Sequence, residues 1–311
     1  MKVLIVGGAG YVGGVVTDLL VRNKFDVTVY DSLLYEDQYM KDCSFILGDV
    51  RDQIKLKSLL DKFDSVVWIA ALVGDGACNI DPILTDEINF KSVQFLSQNY
   101  NGRIVFFSTC SVYGAQNELL NENSPVNPLS LYASTKLKAE KVLKNNNAII
   151  FRLGTLFGIS DQFARLRMDL VVNTLTAKAF IENKINVFGG DQYRPLLHVK
   201  DAAKAICGAI TSKEVGVFNL SLDNFKIIEI ANSIKAHFPR LEILIEDIPF
   251  QDTRNYRVNN SKSLNLLNFK ADISLLDGII EIKKLLIETR IKDINNPRYT
   301  NQKYLQIFKP Q

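Results

Sequence analysis

The chain has 311 residues, and 47% of them are apolar, which is enough for a sizeable core in one large domain or two unequal ones. Its 37 basic and 34 acidic residues leave a net charge of +3. This near balance, without a basic stripe interleaved with aromatic residues, excludes nucleic-acid-binding and membrane-surface proteins from the expected classes.

Strand and helix patterns alternate through about the first 155 residues. Short apolar runs predict buried strands, and apolar residues at helical spacing predict the helices between them. The predicted strands are Lys2–Val6, Asp26–Tyr30, Ser44–Leu47, Ser65–Ile69, Arg103–Phe107 and Ala148–Leu153. The predicted helices are Tyr11–Arg22, Asp52–Lys62, Asp86–Asn99 and Leu131–Lys144. This alternation indicates a parallel sheet with helices on both faces.

The pattern becomes shorter and more irregular after Gly158. The predicted helices are Arg165–Ile181, Val199–Thr211, Ile227–Phe238 and Leu275–Arg290, and the predicted strands are Asn186–Phe188, Val217–Leu220 and Glu242–Ile245. We predict a first domain over residues 1–160, to which about 185–220 return, and a smaller second α/β domain mainly over 161–290. Residues 291–311 form a polar tail that we expect to extend away from the core.

A glycine-rich turn, Gly7–Gly13, joins the first predicted strand to the first predicted helix. Glycine allows a tight turn and a close approach to a pyrophosphate, and the helix N-terminus offers unpaired N–H groups. Asp31 closes the second strand, 24 residues after Gly7. A carboxylate there can bind both ribose hydroxyls of an adenosine and would repel the 2′-phosphate of NADP. Together they predict a doubly wound Rossmann sheet that binds NAD.

Asp49 and Val50 follow the third predicted strand. In this context the Asp49 carboxylate can receive the adenine amino group of the cofactor. It can equally be a helix N-cap, because a helix is predicted to begin directly afterwards.

Three side chains form a candidate catalytic group. Thr109 follows the strand that begins at Arg103, and Tyr132 and Lys136 share one face of the next helix because they are four residues apart. A nearby lysine and the positive nicotinamide ring are expected to lower the pKa of the tyrosine by favouring its phenolate. The tyrosine can then take a proton from an alcohol while the hydride goes to the nicotinamide.

These motifs occur in one order along the chain: GGAGYVG at 7–13, Asp31, Asp49-Val50, the Ala70–Gly74 segment, Asn89, STCSVYG at 108–114, YASTK at 132–136 and RPLLHVKD at 194–201. With them the chain resembles the extended short-chain dehydrogenases/reductases, in the group of NAD-dependent sugar-nucleotide epimerases and dehydratases. The resemblance covers roughly residues 1–290. It implies that the smaller domain binds the substrate.

The resemblance also implies roles for individual residues. Tyr132 would be the catalytic base and acid, Lys136 would hold the nicotinamide ribose, and Thr109 would orient the substrate. The cofactor-binding residues would be Gly7, Gly10, Tyr11, Val12, Gly13, Asp31, Asp49, Val50, Ala70, Ala71, Leu72, Asn89, Ser108, Tyr132 and Lys136. The substrate-binding residues would be Thr109, Ser111, Thr155, Arg167, Arg194 and Arg254.

The arginines carry different expectations. Arg194 matches the family's arginine for the substrate diphosphate, and Arg254 lies where a second one is often found, although a guanidinium also suits a solvated surface. The segment with Arg165, Arg167 and Asp169 either points toward the nucleotide end of the substrate or is a charged helix start. It resembles a subgroup that includes NAD-dependent dehydrogenases of nucleotide-linked sugars and heptoses.

Four positions depart from relatives. Cys110 and Ser111 replace the Asp-Glu pair that eliminates water in 4,6-dehydratases, so this reaction is not expected, and Cys110 is read as a small packing residue. Trp68 occupies a place where relatives often carry histidine, and we read it as core packing. Thr155 stands where many relatives have a substrate-binding asparagine, which puts the usual glucose/galactose assignment in question.

The leading hypothesis is oxidation at C4 of a nucleotide diphosphate sugar by tightly held NAD, followed by reduction on the other face, as in a UDP-glucose 4-epimerase. A sugar-nucleotide 4-dehydrogenase or a keto-sugar reductase remains an alternative. A non-catalytic NAD-binding scaffold would have lost Thr109, Tyr132 or Lys136, and steroid- or isoprenoid-type oxidoreductases would lack Arg194.

The remaining features concern location and assembly. Four scattered cysteines, no secretory signal and no apolar stretch of about 18 residues predict a cytoplasmic protein without a membrane segment. Two histidines make a histidine-built metal site unexpected. The family usually dimerises through helices that match 85–100 and 131–144, so we expect a homodimer. The apolar residues there also suit a monomer core: Ile88, Val93, Leu96, Leu137 and Val142.

Overall fold

The computed structural model describes residues 1–246, 254–291 and 293–308. Its strands are β1 (Lys2–Val6), β2 (Asp26–Asp31), β3 (Ser44–Leu47), β4 (Ser65–Trp68), β5 (Arg103–Thr109), β6 (Ala115–Leu120), β7 (Ala148–Leu153), β8 (Thr155–Phe157), β9 (Lys184–Phe188), β10 (Tyr193–His198), β11 (Gly216–Leu220), β12 (Asp223–Lys226), β13 (Glu242–Glu246) and β14 (Asn255–Val258). Most of the strands predicted from apolar runs are found within one or two residues of their expected bounds.

The helices alternate with these strands in the first half. They are α1 (Tyr11–Arg22), α2 (Gln53–Leu60), α3 (Asp75–Cys78), α4 (Pro82–Asp86), α5 (Ser92–Asn99), α6 (Leu131–Leu143), α7 (Val171–Glu182), α8 (Val199–Thr211), α9 (Ile227–Lys235), α10 (Ser261–Leu267), α11 (Leu275–Ile287) and α12 (Asn301–Ile307). In the described part of the chain, none of them is long and apolar enough to cross a membrane.

A parallel sheet of seven strands, ordered β11-β7-β5-β4-β1-β2-β3, forms the centre of the molecule. Alternate residues of β1 enter different cores: Leu4 and Val6 pack on one face, and Val3 and Ile5 on the other. A sheet with helices on both faces is buried on both sides, which is why its central strands β1, β4, β5 and β7 are mainly apolar. The predicted doubly wound α/β fold is confirmed.

The C-terminal half contributes smaller sheets, ordered β12-β10-β8, β13-β9 and β14-β6. A third apolar core lies among α7, α9 and α11. The strand predicted at Val217–Leu220 is β11, and it joins the large sheet beside β7. The boundary near residue 160 stays a prediction.

Two predicted helices differ from the structure. The helix expected over Arg165–Ile181 begins only at Val171, because Leu170 is extended with φ −97° and ψ 135° and the charged residues before it make side-chain contacts instead. The helix expected over Asp86–Asn99 is a sequence of α4, a π-helical turn at Glu87–Lys91 and α5.

The expectation that the polar tail extends away from the core is wrong for the residues described there. Asn301 and Leu305 are each only 3% exposed, and Leu305 packs into the same core as β1 and β4. The Asn301 amide nitrogen donates to the Val73 carbonyl at 2.7 Å. A polar segment can therefore fold back through hydrogen bonds, which apolar periodicity does not reveal.

Three apolar residues considered for a dimer interface belong to the core of the single chain. Ile88, Val93 and Leu96 are at most 8% exposed and lie in the core beneath the large sheet. Leu137 and Val142 are only partly buried. Of the predicted set, only these two keep surface that a second chain could cover.

Candidate active site

A cavity of about 770 Å³ opens where β1, β2, β4 and β5 end, and it continues to the C-terminal half of the chain. Carboxyl ends of parallel strands are the usual place for a ligand in such a sheet. Every predicted site residue lines this cavity except Gly13 and Asn89. The structure thus brings the cofactor, catalytic and substrate sets of residues into one space.

The glycine turn has the geometry that its sequence predicts. Gly7 has φ of 90°, and its N–H donates to the Tyr30 carbonyl at 2.9 Å. A Cβ on Gly13 would lie 2.1 Å from the Gly7 carbonyl oxygen, so Gly13 lets α1 pack on the turn and does not itself reach the cavity. Gly10 begins α1 without a side-chain cap. The N–H groups of this first turn suit an anion.

Asp31 lies at the end of β2, beside the turn. Its carboxylate accepts from the Ala9 N–H at 2.9 Å and from the Leu33 N–H at 2.8 Å. Burial raises the pKa of Asp31, and these backbone hydrogen bonds oppose the rise. The carboxylate is therefore held in one orientation at the cavity wall, where it can accept from ribose hydroxyls.

Asn89 supports the cofactor loop from behind. It is 1% exposed, and its side chain accepts from the Leu72 N–H at 2.8 Å and donates to the Leu72 carbonyl at 2.9 Å. Both polar ends are used by the loop after β4. Asn89 does not line the cavity, and its side chain holds the loop at Leu72. Its contact with the cofactor stays a prediction.

The structure distinguishes between the two roles predicted for Asp49. The N-cap of α2 is Asp52, whose carboxylate accepts from the Lys55 N–H at 3.0 Å. Asp49 pairs with Arg51 at 2.8 Å instead. Burial alone would raise the pKa of Asp49, but the hydrogen bonds from Arg51 outweigh this and hold it below its usual value. Asp49 remains free of a capping role and lines the cavity.

Tyr132 and Lys136 lie on the first two turns of α6, which Ser130 caps by accepting from the Ala133 N–H at 3.2 Å. Lys136 is 2% exposed, and its Nζ lies 4.4 Å from the centre of the Phe106 ring. Burial lowers the pKa of Lys136 to about 7.

The expected direction of the Tyr132 pKa shift is wrong for the protein alone. Burial raises this pKa above its usual range, and the nearby Cys78 and Asp75 add to the rise. The prediction relied on a charged Lys136 and on the nicotinamide cation. In the protein without cofactor, burial favours the neutral forms of both Tyr132 and Lys136. Tyr132 is therefore a neutral phenol in the protein alone.

Thr109 ends β5 and begins the turn that carries Ser111. Its Oγ1 accepts from the Ser111 N–H at 3.1 Å, which leaves the hydroxyl proton to donate. The Ser111 hydroxyl lies 3.1 Å from the Tyr256 hydroxyl. Tyr256 also lines the cavity, and the sequence did not single it out because a lone tyrosine on a short strand has no distinguishing pattern.

The two arginines expected at the substrate diphosphate lie together at the end of the cavity that the C-terminal half of the chain forms. Arg194, on β10, is 5% exposed, and its Nη1 donates to the Tyr193 carbonyl at 2.8 Å and to the Arg254 carbonyl at 2.5 Å. Arg254 Nη1 lies 3.5 Å from the Asp75 carboxylate. Neither is a simply solvated side chain. Thr155 lies nearby on β8, which pairs with β10.

The charged segment before α7 also reaches the cavity. Arg167 pairs with Asp169 at 2.5 Å, and its guanidinium lies 5.8 Å from the centre of the Tyr11 ring. The Tyr11 hydroxyl donates to the Gly158 carbonyl at 2.7 Å. Arg167 therefore lies beside Tyr11 at the start of α1, and its contact with the nucleotide end of the substrate stays a prediction.

Comparison with known proteins decides the family. The model of the NAD dependent epimerase/dehydratase family matches residues 3–221. The chain belongs to this family. A UDP-glucose 4-epimerase of Corynebacterium glutamicum is 27% identical over 267 residues, which cover 76% of this chain and 81% of that protein. A putative UDP-glucose 4-epimerase of Methanocaldococcus jannaschii is 27% identical over 89% of this chain and 95% of its own length.

Solved structures share the fold. The UDP-glucose 4-epimerase of Thermotoga maritima with UDP-glucose aligns with a TM-score of 0.82 over 94% of this chain and 100% of that one, at 19% identity. The predicted membership of the NAD-dependent epimerase/dehydratase family is confirmed.

The residues of this epimerase/dehydratase-family chain fit the family's cofactor. The uncapped first turn of α1 suits a pyrophosphate, and Asp31 offers acceptors for ribose hydroxyls. A 2′-phosphate beside the buried Asp31 carboxylate would meet a like charge, so NAD is preferred over NADP.

A buried ion pair behind the catalytic strand was missed in the sequence. Arg152 Nη2 lies 2.7 Å from Glu140 Oε2, and the Ser108 hydroxyl donates to Glu140 Oε1 at 2.5 Å. Glu140 follows Lys136 by four residues on α6, and this spacing was the available signal. The pair holds Ser108 and the end of β5 against α6.

Proposed function

We propose that this protein is a sugar-nucleotide 4-epimerase that acts on a UDP-hexose and uses NAD that stays bound. One observation carries the proposal: Thr109, Tyr132 and Lys136 share a cavity with the uncapped glycine turn at one end and with Arg194 at the other. This arrangement suits a sugar hydroxyl held beside a dinucleotide while a diphosphate is bound farther out.

The side chains divide the chemistry among them. Arg194 and Arg254 bind the substrate diphosphate, because guanidinium groups match phosphate oxygens. The Thr109 hydroxyl donates a hydrogen bond to the reacting sugar oxygen. The positive nicotinamide ring and a charged Lys136 would favour the phenolate of Tyr132 once NAD is bound. As phenolate, Tyr132 takes the proton of the C4 hydroxyl, and it returns this proton after the keto sugar has rotated. NAD, when bound, would supply a reversible acceptor for the C4 hydride.

The residues after Thr109 argue against elimination of water. Cys110 is fully buried, donates to the Arg152 carbonyl at 3.2 Å, and has its pKa raised by burial. The Ser111 hydroxyl is engaged with Tyr256. A 4,6-dehydratase needs a general acid and base at this place, and neither side chain can serve. Return of the hydride to C4 is therefore the favoured outcome.

The test incubates purified protein with UDP-glucose and no added cofactor, and follows the formation of UDP-galactose by NMR. Parallel reactions use GDP-, dTDP- and CDP-sugars. NADH accumulating in step with a keto sugar would identify a dehydrogenase, and turnover only with NADPH would identify a reductase. Absence of NAD after denaturation and failure to bind it would overturn the proposal.

We also propose a cytoplasmic homodimer. The four cysteines form no disulfide, which suits a reducing compartment. The surface of α5 and α6 carries partly exposed Phe95 and Val142 and the exposed Ile83 nearby on α4. Sedimentation equilibrium tests the dimer, and Ile83→Glu is expected to shift it toward monomer.

A further inference from the structure

Two arginines before α7 are buried at the same cavity as the glycine turn. Arg165 and Arg167 are 7% and 8% exposed, and both line the cavity. A buried guanidinium is costly unless an anion compensates it. Arg167 has such a partner in Asp169.

Arg165 differs, because its side-chain contacts are all with neutral groups. Its Nη1 donates to the Arg298 carbonyl at 2.9 Å, its Nη2 donates to the Asn301 side chain, and its guanidinium lies 3.9 Å from the centre of the Tyr35 ring. Within residues 1–246, 254–291 and 293–308, no carboxylate forms an ion pair with it.

The carboxylates near Arg165 are engaged by other arginines. Asp169 pairs with Arg167, and Glu36 pairs with Arg298 at 3.1 Å. Burial and the neighbouring Arg167 lower the pKa of Arg165 to about 10, and the weaker influence of Tyr35, Asp169 and Glu36 opposes this shift. Arg165 is therefore still a cation at neutral pH. The site therefore holds a pre-positioned positive charge that a further anion would compensate.

We propose that Arg165 binds the diphosphate of NAD, as a second diphosphate-binding group besides the N–H groups of the glycine turn. The inference rests on the proposed function only in that NAD must bind. The neighbours of Arg165 favour the diphosphate of NAD over that of the substrate. Arg165 contacts Tyr35 and Glu36, which follow Asp31 in the loop after β2. The substrate end has its own arginines, Arg194 and Arg254.

The C-terminal strap, Pro297–Ile307, holds Arg165 in place. Asn301 is its central contact: the side chain accepts from Arg165 and donates to the Val73 carbonyl, and its N–H donates to Asp169 at 2.9 Å. Arg298 adds ion pairs to Glu36 and Asp37. The strap therefore joins the loop after β2, the loop after β4 and the arginine segment across the cofactor cleft.

The experiment measures binding of ADP, ADP-ribose and adenosine by calorimetry to protein freed of nucleotide. We expect Arg165→Gln to weaken ADP and ADP-ribose binding about tenfold to a hundredfold, as for loss of a hydrogen bond to a charged group, while adenosine binding is unchanged. Arg290→Gln, which removes an exposed arginine, is the matched control and should leave all three unchanged.

Equal affinities of wild type and Arg165→Gln for ADP would overturn the inference. So would a variant that binds UDP less tightly and ADP normally, because Arg165 would then serve the substrate diphosphate. If Arg165→Gln does not fold, as judged by its thermal transition, Arg165→Lys keeps the charge but loses the planar fork, and a smaller loss confined to ADP and ADP-ribose is expected. None of these readouts depends on which sugar is turned over.

Discussion

The large sheet and the C-terminal half hold their functional side chains in different ways. Every residue of β5 and β7 is buried, and Thr109 is positioned by the end of such a strand. In the other half, Arg194 is held by hydrogen bonds to two backbone carbonyls, one of them that of Arg254. Apolar packing positions the first kind of residue, and polar contacts position the second.

This difference matches the division of tasks. The cofactor and the reacting carbon need fixed geometry, which a buried parallel sheet supplies, whereas substrate diphosphates and sugars vary and are bound by loops and short strands. Substitutions in the sheet half should therefore change kcat or cofactor retention. Substitutions of the substrate-binding arginines in the C-terminal half, Arg194 and Arg254, should mainly change KM.

The largest effect is expected for Tyr132→Phe, which removes the proton acceptor and leaves the ring. We expect kcat to fall about a thousandfold, with the amount of bound NAD unchanged. Tyr100→Phe is the control, because the Tyr100 hydroxyl donates to the Phe63 carbonyl within the core. A Tyr132→Phe enzyme with normal kcat would remove this residue from its catalytic role.

Arg194→Gln tests the other half. Loss of the charged contact to the substrate diphosphate should raise KM about tenfold to a hundredfold, with a much smaller change in kcat. Arg240→Gln, at an exposed position, should leave both constants unchanged. If kcat alone falls, the proposed division between the two halves is wrong.

Gly13→Ala tests the packing of the turn. Its Cβ would collide with the Gly7 carbonyl oxygen at 2.1 Å, so we expect stability to fall by about 1–3 kcal/mol and NAD retention to fall with it. Gly208→Ala is the control: nothing lies within 4 Å of its Cβ in α8, and it should stabilise the protein by about 0.5–1 kcal/mol. Denaturant unfolding measures both, and equal effects would refute the packing argument.

A pH-dependent effect concerns Lys136 in nucleotide-free protein. Burial lowers its pKa from 10.5 to about 7, so between these values the unfolded chain binds one more proton than the folded chain. Its contribution to stability therefore rises with pH from about 7 to about 10. Lys136→Met should flatten this rise, whereas Lys138→Met, whose side chain is half exposed, should keep it. If the free energy of unfolding changes with pH in the same way for wild type and Lys136→Met, the lowered pKa of Lys136 is contradicted.

Prediction from the sequence succeeded where burial makes the pattern continuous. β1, β7, α1 and α8 have their predicted bounds, because each buries an apolar run or one apolar face. The missed strands all belong to the smaller sheets: β6, β8, β10, β12 and β14. Their formation depends on partners far away in the chain, which local patterns do not contain.

The same limit applies to the site. The glycine turn, Asp31, Tyr132 and Lys136 have local spacing that carries chemical meaning, so the sequence revealed them. Asn301 has no such local spacing. Its role depends on hydrogen bonds with Arg165 and Val73, which are both more than 130 positions away in the chain. Long-range polar contacts of this kind explain why the tail was expected to leave the core.

The most direct test of the central claim uses UDP-glucose with deuterium at C4 of the sugar. If the hydride leaves C4 for bound NAD and returns to the other face, UDP-galactose keeps its deuterium at C4, and no label enters the solvent. Replacement of the deuterium by solvent hydrogen, or its appearance in released NADH, would contradict 4-epimerisation by retained NAD.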